Sequence, residues 1–97
     1  MKYFTPDYLP WGEEYIIHID EEIYKKFHNT LSSFNVLYAR ILGLSYSDML
    51  RYFRDHYNAK IVGKMGYYCV MHFDNEKDCW AACNLLSSRW EQILRRL

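Results

Sequence analysis

Asn75–Leu97 reads NEKDCWAACNLLSSRWEQILRRL, and its apolar spacing decides the fold more firmly than any other stretch of the chain. Cys79, Cys83, Leu86, Trp90, Ile93 and Leu97 step by four, three, four, three and four. A mean step of about 3.5 places them all on one helical seam, which Ala82 and Leu94 widen. Asp74 or Asn75 supplies the N-cap, and Glu76 and Asp78 put acid in the first turn, where the helix dipole favours it. Such a seam needs a partner layer: a β-hairpin, or a second copy of itself in a homodimer. The hairpin is the favoured partner, because a hairpin without a covering helix is not stable in water.

That hairpin is readable immediately upstream. Ala59–Lys64 and Tyr67–Phe73 read as strands, with Gly63 and Gly66 bracketing the turn. In the second strand Tyr67, Cys69, Met71 and Phe73 share one face, and Tyr68, Val70 and His72 the other. Before it, Ser45 caps a helix over Tyr46–Tyr57 that buries Met49, Leu50 and Phe53. A shorter helix over about Val36–Leu42 stops at Gly43. Asp20 caps an earlier helix carrying Ile23, Phe27, Leu31 and Phe34, which ends or breaks among the weak helix formers Asn29, Thr30, Ser32, Ser33 and Asn35. Glu14–Ile19 alternates as a strand, with Tyr15, Ile17 and Ile19 on one face.

Met1–Gly12 reads as an extended arm, since Pro6 and Pro10 forbid a regular helix. The expected fold is therefore α+β in the order β-α-α-α-β-β-α, one domain spanning residues 1–97 with an aromatic N-terminal arm over 1–12. The beginning MKYFTP shows no apolar targeting segment, and no apolar run is long enough to span a bilayer. With three cysteines in no framework spacing, a reducing cytoplasm is the expected setting.

Of the 97 residues 51% are hydrophobic and 25% charged, the balance of a globular domain. Aromatic residues reach 19%, with ten Tyr, five Phe and three Trp. A chain of this length buries somewhat over roughly 60% of its unfolded surface, so some of these rings must reach the outside. They form an adhesive contact area there, or are tyrosine tips reaching water from the core edge. Tyr3, Phe4, Tyr8 and Trp11 of the arm are the candidate partner-binding residues. Twelve basic and twelve acidic side chains give zero formal charge. That balance counts against nucleic acid, whose binders usually carry excess Lys and Arg.

Leu37–Phe53 nevertheless has the pattern of a helix-turn-helix: small Ala39, Gly43 at the turn, Leu44 in the corner, Ser45 as cap and Met49 packing beneath. The following hairpin would make it winged-helix-like. Tyr46, Ser47, Arg51 and Arg54 then face a DNA groove, with Lys60 and Lys64 reaching phosphates. Asp48 and Asp55 on the same helix oppose this, and any tight helical hairpin can show the same pattern.

Cys69, His72, Cys79 and Cys83 are the residues to weigh for zinc. Cys69 and His72 lie three apart in a strand and so point to opposite faces, while Cys79 and Cys83 lie on the apolar seam. No metal or other cofactor is expected. No phosphate loop, nucleophile elbow or His–carboxylate pairing is legible, and the chain is not expected to be an enzyme. Arg89, Arg95 and Arg96 at the end of the last helix suit its dipole, or an acidic partner.

Leu44–Asp55 (LSYSDMLRYFRD), Ala59–Gly63 (AKIVG) and Tyr68–Phe73 resemble small uncharacterised proteins of phages and mobile elements in low-GC bacteria. The resemblance implies a protein that acts stoichiometrically on host machinery, as inhibitors of CRISPR nucleases do, or a small repressor. The expected function is non-enzymatic binding that inhibits or modulates a host protein or nucleoprotein. A DNA-binding transcriptional regulator is the alternative.

Overall fold

The computed structural model describes residues 3–10, 12–27, 34–62 and 71–96. The chain is α+β: β1 (Phe4–Leu9), β2 (Glu14–Ile19), α1 (Glu21–Phe27), α2 (Phe34–Leu42), α3 (Tyr46–Tyr57), β3 (Lys60–Ile61), β4 (Met71–His72) and α4 (Glu76–Arg95).

The N-terminal arm is corrected to a strand. β1 pairs antiparallel with β2 along its whole length, from Phe4 opposite Ile19 to Leu9 opposite Glu14. Pro6 is compatible with this because of which way its backbone points. The carbonyl of Tyr3 accepts from Asp20 on the β2 side, whereas the N–H of Phe4 points away and donates to Ser87 Oγ on α4 at 3.1 Å. Backbone direction alternates along a strand, so Pro6 shares the outward direction of Phe4 and its missing N–H removes no bond to β2. α4 thus satisfies part of an edge that would otherwise stand open.

The short β3–β4 ladder pairs Lys60 with His72 and Ile61 with Met71. Among the described residues it joins the first ladder at one bridge, where the N–H and C=O of Tyr15 pair with the C=O and N–H of Phe73, each at 2.8 Å. The four strands therefore lie side by side in the order β1–β2–β4–β3.

The core is one cluster contributed by every helix and by three of the strands. Ile17 and Ile19 of β2 are buried on the alternating face, with Phe4 from β1 and Met71 from β4. Cys79, Ala82, Cys83, Leu86 and Trp90 of α4 are buried against β1, β2, α2 and α3. Among the described residues the apolar seam is filled from within the protomer mainly by the β1–β2 ladder, which corrects the expectation that the β3–β4 hairpin is its chief cover.

Local chemistry sets the helix boundaries. The Asn75 side chain accepts from the N–H of Asp78 at 2.8 Å and so caps α4. Ser45 caps α3 in the same way through Asp48. Gly43 has φ +69°, a left-handed conformation in which a Cβ is strained, and this lets Leu44 N–H return to the Ala39 carbonyl at 3.0 Å. Asn58, with φ +57°, ends α3 by the same route. Within α3 it is Met49 and Phe53 that are buried, while Leu50 stays half-buried.

Candidate functional site

The outer side of α3 carries Tyr46, Ser47, Arg51 and Arg54 together, all exposed, as the helical spacing predicts. Their charge, however, is matched locally. Arg51 Nη2 lies 2.6 Å from Asp48 Oδ1, and Arg54 Nε lies 3.1 Å from Asp55 Oδ1. Lys60, on β3, holds both Glu14 Oε1 at 3.3 Å and Asp74 Oδ1 at 3.2 Å. These hydrogen bonds, that to Asp74 first, keep its ammonium above the ordinary lysine range. A group shifted upward loses its pairing only as pH rises through the raised value, so Lys60 stays charged throughout the neutral range. Lys64 lies outside the described residues.

Lys60 belongs to a polar knot on the outer face of the strands. Glu14 of β2 uses its second oxygen, Oε2, on His72 Nδ1 of β4 at 2.9 Å, and both side chains are only 20% exposed. One carboxylate thereby links three strands and reinforces the place where the ladders meet at the Tyr15–Phe73 bridge. An imidazole oriented by a carboxylate is also a feature of acid–base sites; the groove walled by Tyr3 lies on other elements.

The four arm residues divide. Phe4 is fully buried, with its ring edge-on to Tyr38 at a centroid distance of 6.0 Å; it is core, which corrects its assignment to a partner surface. The reason is its place opposite Ile19 on the inward face of the ladder. Tyr3 is half-buried. Tyr8 is 48% exposed and leans on Tyr15 at 5.2 Å. Trp11 lies outside the described residues. Among the described residues two further tyrosines are exposed: Tyr24 on α1, at 45%, and Tyr46 on α3, at 39%, with Leu44 exposed beside it.

Tyr3 also walls a groove of about 200 Å³ between the start of the chain, α1 and the last turns of α4. Ile23, Trp90 and Leu94 provide its apolar lining, and Asp20, Glu22 and Lys26 its charged groups. On α3 a separate aromatic cluster forms, with Tyr52 4.6 Å from the His56 ring and 5.9 Å from Tyr57. Burial first, and then the neighbouring Tyr52, pushes the Tyr57 phenol above its ordinary value, so it remains neutral at physiological pH.

Cys79 and Cys83 are fully buried within the core, and Cys69 lies outside the described residues. Cys79 Sγ approaches the Ile16 carbonyl at 3.5 Å. A hydrogen bond with Cys83, then burial, drives the Cys79 thiol far above its ordinary range, so it does not supply a thiolate. Among the described residues no group of three His, Cys, Asp or Glu side chains is placed to hold a metal ion. Native protein treated with a thiol reagent at pH 7–8 is expected to leave Cys79 and Cys83 unlabelled, with both reacting after denaturation. Peptide mass mapping checks this, and rapid native labelling of either would contradict their enclosure.

Neither the groove nor the knot was legible beforehand. Glu14 and His72 could each be placed on a strand face, but nothing in their spacing announces that β2 and β4 meet. Among the described residues no helix is long and apolar enough to cross a membrane. The chain matches no family model, and neither a curated protein nor a solved structure resembles it significantly.

Proposed function

We propose that this chain is a non-enzymatic binding protein of the phage or mobile-element type, acting stoichiometrically on a host protein or nucleoprotein to inhibit or modulate it. The observation that carries the reading is the exposure of Tyr8, Tyr24 and Tyr46 on β1, α1 and α3. Tyrosine offers a stiff contact area with a hydrogen-bonding tip, and interfaces are enriched in it. Local pairing of Arg51, Arg54 and Lys60 with carboxylates adds support, since these cations are the ones a phosphate backbone would have to recruit.

A second reading, a DNA-binding transcriptional regulator with a winged-helix-like arrangement, rests on the α2–α3 corner and the shared outward position of Tyr46, Ser47, Arg51 and Arg54. The two readings separate in one experiment: affinity capture from a low-GC bacterial lysate with and without nuclease. The first expects a stoichiometric protein partner retained after nuclease treatment. Retention of nucleic acid alone, abolished by nuclease, would replace it with the second.

A further inference from the structure

We draw no further inference here: the strongest candidate, the groove between α1 and the last turns of α4 lined by Ile23, Trp90 and Leu94, belongs to the surface already described, and with both carboxylates and an ammonium around it nothing in the structure shows what covers it.

Discussion

Phe4→Ala is expected to cost about 3–5 kcal/mol of folding stability, the range for removing a buried aromatic ring. Phe4 is wholly enclosed, touches Tyr38 edge-on, and begins the strand whose outer edge Ser87 secures. A domain of this size is stable by about 5–15 kcal/mol, and each kcal/mol moves the melting temperature by about 4–8 °C. The variant should therefore melt at least 12 °C lower, on the order of that product. Tyr8→Ala, in the same strand, is expected to cost no more than about 1 kcal/mol, because its side chain is already about half exposed and loses chiefly the contact with Tyr15. Urea and thermal unfolding of the two variants check both values. Equal stability of Phe4→Ala and the parent would mean that the N-terminal strand is an appendage and not part of the core.

Phe73→Ala is expected to be comparably damaging, again about 3–5 kcal/mol. Its ring is fully buried, and its backbone makes the bridge to Tyr15 that joins the two ladders. Emptying that site should loosen the junction as well as lower overall stability. The Tyr15 amide, which donates to Phe73, should then exchange with solvent faster by more than the global destabilisation accounts for. Glu14→Gln on the opposite face should cost less, since glutamine keeps the shape and one acceptor oxygen, and the pair it loses is with a half-exposed lysine, a class that contributes about 1 kcal/mol or less. If Glu14→Gln proved the more damaging change, the polar knot and not the buried ring would be what joins the ladders.

These two residues also show where the sequence was readable. The strand over Glu14–Ile19 and the helix over Tyr46–Tyr57 coincide with β2 and α3, because alternation and capping are local signals carried by adjacent residues. The same holds for the α4 seam, whose buried positions Cys79, Cys83, Leu86 and Trp90 are four of those that the period selects. β1 was hidden by Pro6 and Pro10, which read as an arm until the direction of each backbone N–H is known. Phe4 was consequently placed at a surface when it is core. The cover of the seam reads as the adjoining hairpin, whereas among the described residues the β1–β2 ladder, remote from it in sequence, packs on it most.

The candidate surface divides in the same way. Exposure of Tyr46, Ser47, Arg51 and Arg54 follows from helical spacing, and the carboxylates that hold the two arginines are near neighbours in the chain. The Glu14–His72 contact spans 58 positions and depends on how two ladders meet, which no local pattern encodes. The groove draws on Tyr3, on Asp20–Lys26 and on Trp90–Leu94, three segments that come together only in the folded chain.

The most direct measurement compares the affinity of the captured partner for two sets of variants: single alanine changes at Tyr8, Tyr24 and Tyr46, and the pair Arg51→Ala and Arg54→Ala. A tyrosine at the centre of an interface contributes about 2 kcal/mol or more, roughly a 30-fold loss on removal. At least one tyrosine variant should show a loss of that order with its fold intact, while the arginine variants bind within about threefold of the parent. Undiminished binding by all three tyrosine variants, with binding lost on removing the arginines, would contradict the account.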